Sequence, residues 1–84
     1  MAYEVSIKKL EPREGSKLRA YATLKFDGVF VVTDLKVVEG ENGLFVSMPS
    51  KKDKDGKFID VAFPVEAEFR KTLIEAILAK YNAA

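Results

Sequence analysis

The chain has 84 residues, 48% of them hydrophobic, with 14 Lys and Arg against 13 Asp and Glu and a formal charge of +1. It contains no cysteine and no histidine. That excludes disulfides, zinc–thiolate sites and thiol catalysis, and removes the commonest metal ligand and the commonest general base at neutral pH.

One domain, residues 1–84, is the most that this length forms. A chain so short buries roughly 60–65% of the surface its unfolded form exposes, so it needs further stabilisation. Without disulfide or metal, oligomerisation is the option left. No apolar run reaches the ~18 residues of a membrane span, and Met1 to Lys9 has no signal-peptide core. A cytoplasmic protein is expected. Overall charge does not announce a polyanionic partner, so any electrostatic case rests on local clustering.

The first stretch with strand character is Tyr3–Leu10, broken by Glu11-Pro12-Arg13-Glu14-Gly15. The second, Lys17–Phe26, alternates: Leu18, Ala20, Ala22, Leu24 and Phe26 on one face, Arg19, Tyr21, Thr23 and Lys25 on the other. Asp27-Gly28 then favours a type I′ hairpin turn. The third, Val29–Glu39, is apolar on both faces, with Val29, Val31, Leu35 and Val37 opposed by Phe30, Val32 and Val38. Asn42-Gly43 signals another hairpin, and Leu44–Met48 reads as a short fourth strand closed by Pro49. A charged loop is expected over Ser50–Lys57, and Phe58–Phe63 as a fifth, edge strand.

A helix of about 17 residues begins near Val65 or Glu66, just after Pro64. Glu66 and Glu68 suit its first turn. Phe69, Leu73, Ala76, Ile77 and Tyr81 recur at helical spacing, and Ile74 and Leu78 widen the stripe. Lys80 and Asn82 mark its end. The fold class is α+β: an antiparallel meander sheet of four to five strands followed by one long C-terminal helix.

A helix of this length is ~25 Å long and covers part of one sheet face. It cannot shield both faces of the third strand, and an exposed valine-rich face is an aggregation hazard. A closed two-fold homodimer resolves this.

The sequence offers little to catalysis. Glu66–Arg70 and Lys71–Glu75 form i,i+4 pairs on a solvated helix face. Lys51–Gly56 has the look of a calcium loop. With Gly56 at its sixth position, though, Lys51 and Ala62 fall where oxygen ligands are required. Gly40 and Gly43 flank a hairpin and do not cradle a phosphate. No enzyme, metal, cofactor or small-molecule substrate is expected.

Surface charge remains. Lys51, Lys52, Lys54 and Lys57 fall within seven consecutive positions, diluted by Asp53, Asp55 and Asp60. Arg70 and Lys71 follow on the helix, and Lys8, Lys9, Arg19 and Lys25 are candidates for one sheet face. Such groups neutralise phosphates, and Arg on a helix reads guanine edges in a major groove. Tyr21, beside Arg19, is placed either to stack on an unpaired base or to pack across the strands.

Two runs are distinctive. The first is Phe30-Val31-Val32-Thr33-Asp34-Leu35-Lys36-Val37-Val38-Glu39-Gly40. The second begins Asn42-Gly43-Leu44-Phe45-Val46 and continues through Met48-Pro49-Ser50-Lys51-Lys52 to Asp55-Gly56-Lys57-Phe58-Ile59-Asp60-Val61-Ala62-Phe63-Pro64-Val65. Together they closely resemble the bacterial stage V sporulation protein G (SpoVG) family of septation proteins. Phe63 stands where that family commonly has histidine. The resemblance implies a dimeric regulator that binds double-stranded DNA, with RNA as a further partner, and that influences septation, sporulation or other gene expression. Carried over by position, it points to Lys51 and Lys52 after Met48-Pro49-Ser50, and to Arg70 and Lys71. With Lys54 and Lys57 these make the candidate nucleic-acid-binding set. The rival expectation is a protein-interaction module of cell division, bound through exposed apolar side chains such as Phe45 and Tyr21.

Overall fold

The computed structural model describes residues 2–11 and 13–83; Pro12 of the expected first turn lies outside them. The elements are β1 (Tyr3–Lys9), β2 (Leu18–Phe26), β3 (Phe30–Gly40), β4 (Gly43–Ser47), β5 (Ser50–Lys52), β6 (Phe58–Asp60) and α1 (Ala67–Ala83). The first four strands form one antiparallel sheet in chain order, and β5 and β6 form a separate two-stranded ribbon.

The Asp27-Gly28 signal translates directly into geometry. Both residues have positive φ, 52° and 71°, as a type I′ turn requires, and the Val29 N–H donates to Phe26 O at 3.0 Å. Asp27 also fastens the start of the chain. Its N–H donates to Ala2 O, and its Oδ1 accepts from the Ala2 N–H. At the next hairpin Gly40 pairs with Gly43, and Glu41 and Asn42 make the reversal. Gly43, at φ 115°, supplies the positive φ that would strain a side chain.

The core lies between the sheet and α1. Ala20, Ala22, Leu24, Leu35, Val37, Val46 and Met48 from the sheet side meet Leu73 and Ile77 of the helix, all buried. The helical stripe read from the sequence forms this contact, with Phe69, Ile74, Leu78 and Tyr81 packed around it. Alanines at 20 and 22 leave room for the helix, which contacts both edge strands, β1 and β4. Tyr3 closes one end, edge-on to Phe69 at 6.3 Å between ring centroids and tilted against Phe26 at 6.1 Å.

Two bulges correct the face assignments. The β2–β3 register slips between Ala22↔Leu35 and Leu24↔Val32, where Asp34 has φ 64°. An extra residue in a strand inverts its alternation. Leu35 and Val37 face the helix on one side of the bulge, and Val32 and Phe30 do so on the other. The apparent two-sided apolarity of the third strand is therefore largely a change of phase, leaving Val29, Val31 and Val38 outside. The second slip lies between Leu18↔Val38 and Ala20↔Val37. It turns Leu18 away from the inner face expected for it and towards Tyr21.

The 50–60 segment also differs from the sequence reading. Ser50–Lys52 is a strand, not loop, and Phe58–Asp60 pairs with it instead of extending the main sheet. The Val61 N–H donates to Pro49 O at 2.8 Å and ties the base of the ribbon. The helix starts one or two residues later than expected and runs through Asn82 to Ala83.

Candidate nucleic-acid interface

The lysine-rich segment is a short stiff hairpin. Lys51 pairs with Ile59 and Lys52 with Phe58. Beyond them Asp53 organises the turn. Its N–H donates to Lys57 O at 2.8 Å, its carbonyl accepts from the Gly56 N–H at 3.1 Å, and its Oδ1 accepts from the N–H groups of Asp55 (2.9 Å) and Lys57 (3.0 Å). Gly56, at φ 81°, completes the reversal. A short side-chain acceptor that mimics a backbone turn is the usual reason for aspartate here.

Lys51, Lys52, Lys54 and Lys57 are all exposed. Strand alternation sends Lys51 and Lys52 to opposite faces of the ribbon, so they are not one flat patch. The Lys52 Nζ lies 5.5 Å from the centroid of the Phe58 ring, within cation–π range. The ribbon thus projects four ammonium groups around an apolar stem, against the carboxylates of Asp53, Asp55 and Asp60. Asp53 is already engaged by the backbone.

Arg70 and Lys71 lie at the start of α1, Arg70 partly buried and Lys71 exposed. The Arg70 N–H donates to Glu66 O at 3.0 Å, closing the first helical turn. No ion pair joins Glu66 to Arg70 or Lys71 to Glu75 among the described residues. Neither a hydrogen bond nor an ion pair among them connects the helix cations to the ribbon lysines. The six candidate residues therefore form two groups on two elements joined by residues 61–66.

The sheet cations do not align as one row. Lys8 and Lys25 lie on the outer face, away from α1, paired with Tyr21 and with Glu4 and Val31. Lys9 lies on the inner side, with its Nζ 4.7 Å from the Tyr81 ring centroid. Arg19 sits at the β2 bulge, where one guanidinium nitrogen donates to Ser16 O at 2.8 Å and Nε lies 3.8 Å from Glu39 Oε1. It holds the β1–β2 connection. Lys36, not singled out from the sequence, stands directly across from Tyr21. Its place between buried Leu35 and Val37 was the available signal.

The sequence model of the SpoVG family matches residues 1–83. The chain belongs to the SpoVG family. Among its SpoVG relatives, one from Symbiobacterium thermophilum is 58% identical over 67 residues, which is 80% of this chain and 48% of that protein. This chain thus accounts for about half the length of that relative. A Clostridioides difficile relative is 44% identical over 81 residues, 96% of this chain and 86% of that protein. One from Archaeoglobus fulgidus is 46% identical over 82 residues, 98% and 96% of the two chains. All three carry the name SpoVG as candidate septation proteins. No helix among the described residues is long and apolar enough to cross a membrane.

Proposed function

We propose that this SpoVG-family chain is a small cytoplasmic regulatory protein that binds nucleic acid as a homodimer and acts on septation, sporulation or other gene expression. The observation that carries the reading is the ribbon, which holds four exposed lysines on a backbone fixed by the Asp53 turn. Ammonium groups held out on a short hairpin meet phosphates without ordering a long loop, and each contact releases a counterion. Arg70 and Lys71 supply a second set on a helix, the element whose dimensions fit a major groove. In this reading there is no catalytic step, cofactor or small-molecule substrate.

The dimer rests on exposed apolar surface. Phe30 is 63% exposed, Phe58 69%, Phe63 54% and Val65 94%. Phe30 and Phe63 line an apolar cleft of about 300 Å³ with Leu24, Met48, Pro49 and Phe69. A monomer gains from covering such a surface, and at ~25 cal/mol per Å² an interface of ~800 Å² per partner is ample. A two-fold pair then presents two copies of the ribbon at a fixed spacing.

The test is a gel-shift titration with duplex DNA and with RNA at two salt concentrations. Retardation that weakens steeply with salt, and a loss of similar size across duplex sequences on replacing Lys51 and Lys52 together with Ala, are expected. No retardation at low salt overturns the reading. The same exposed phenylalanines favour the second reading, a protein-interaction module, whose binding tolerates salt.

A further inference from the structure

The four-stranded sheet has one face under α1 and one face open. The open face is not uniformly polar. The register places Lys8, Tyr21, Lys36 and Ser47 in one row across β1, β2, β3 and β4. Tyr21 is thus flanked on both sides by a lysine directly opposite it, at the ~5 Å Cβ separation of paired residues. Tyr21 is 36% exposed. Its backbone neighbours Ala20 and Ala22 are fully buried on the other face, so the ring stands outward on a rigid support.

One row away, Val38 pairs with Phe45, which is 49% exposed. Strand spacing puts Phe45 roughly 12 Å from Tyr21. Towards the β1–β2 connection the surface dips into a depression of about 580 Å³ lined by Tyr21, Leu10, Leu18, Ser16, Arg13 and Glu11. Arg13 adds a cation at its rim and Glu11 a carboxylate.

Across this face the outward charges are Lys8, Lys25 and Lys36 against Glu4 and the exposed Asp34 of the bulge. A second copy of the chain would bring the same lysines against one another. An acidic protein would satisfy the lysines but leave two outward aromatic rings and the depression without a role. An unpaired nucleotide uses all three: its base stacks on a ring, its phosphates meet the flanking ammonium groups, and the depression admits a neighbouring base. Stacking on an aromatic ring combined with a cationic track is the chemistry of single-strand recognition, and antiparallel sheets with outward aromatics serve it well.

We propose that the open face of the sheet is a binding site for single-stranded nucleic acid, centred on Tyr21 between Lys8 and Lys36, with Phe45 as a second stacking position. It deepens the nucleic-acid reading above and rests on it. The site is separate from the lysine ribbon, so one protein offers a duplex-facing surface and a strand-facing surface.

The experiment is fluorescence anisotropy of the full chain with labelled oligo(U), oligo(dT) and a mixed-sequence DNA duplex. Tyr21→Leu is expected to weaken single-strand binding about tenfold or more, since stacking on one ring is worth that much, and to leave duplex binding within about twofold. Tyr21→Phe keeps the ring and should bind like the parent. Lys8→Glu with Lys36→Glu should abolish single-strand binding, and that pair probes the site even if Tyr21→Leu folds poorly. Lys51→Ala with Lys52→Ala should mainly affect the duplex. The ratio of oligo(U) to oligo(dT) affinity assigns the ligand to RNA or DNA.

Equal losses on single strand and duplex for the sheet variants would overturn the separate site. So would unchanged single-strand affinity, or a change of oligomeric state on replacing Tyr21. Duplex binding without single-strand binding rejects this inference and leaves the proposed function standing, whereas no binding of any oligonucleotide at low salt rejects both.

Discussion

Asp53 and Lys57 are joined twice: the Asp53 N–H donates to the Lys57 carbonyl at 2.8 Å, and the Lys57 N–H donates to Asp53 Oδ1 at 3.0 Å. The pair closes the ribbon that carries the lysines, so an acidic residue within a basic stretch has a structural cause. Asp53→Ala should lower stability by about 1 kcal/mol, the net worth of a side-chain hydrogen bond or two, and weaken duplex binding by loosening Lys54 and Lys57. Asp53→Asn keeps an acceptor oxygen and should retain most of both. Urea unfolding of the two variants checks this, and equal behaviour of Ala and Asn would count against the capped turn.

The bulge at Asp34 gives a second expectation. Left-handed backbone costs a residue with a side chain about 1–2 kcal/mol, and Asp tolerates it better than most. Asp34→Gly should therefore be neutral or stabilising. Asp34→Val should destabilise by more than about 1 kcal/mol. Thermal melts followed by circular dichroism measure both, and a harmless Val would mean the bulge is not held as described.

The helix is fastened to the sheet by Leu73 and Ile77, which are 2% and 0% exposed. Truncating either to Ala should cost about 2–5 kcal/mol. A small domain has only about 5–15 kcal/mol in total, so the double variant should be largely unfolded, by circular dichroism or by proteolysis. If it stays folded, α1 contributes less to the core than its burial indicates.

Light scattering after size exclusion should give twice the mass of one chain. Phe63→Asp places a charge at the mouth of the apolar cleft and should shift the protein to monomer without unfolding it. A dimer unaffected by this change would move the interface elsewhere.

Much of this fold was legible in the sequence. The alternation of residues 20–26, the Asp27-Gly28 turn and the stripe from Phe69 to Tyr81 are local signals, and each became the expected element. Bulges are not local in this sense. Nothing in Thr33-Asp34 announces that the strand changes phase there, and a shift of one residue exchanges inside for outside. Simple alternation therefore places Leu18 inward and gives the third strand two apolar faces, the pattern that calls for a second subunit. Ser50–Lys52 has no apolar periodicity and became a strand only through its partner Phe58–Asp60. Of the candidate site, the exposure of the ribbon lysines was readable. Their division between two faces was not, nor was the position of Lys36 beside Tyr21, because both depend on which strands pair.

The most direct measurement is the salt dependence of binding to a labelled DNA duplex. Each neutralised phosphate contributes about −0.9 to the slope of log K against log salt, so four to eight contacts per dimer give roughly −4 to −7. We predict a slope in that range, reduced when Lys51 and Lys52 are both Ala. A slope near zero, or one that these two substitutions leave unchanged, would contradict the assignment of the ribbon as the phosphate-binding surface.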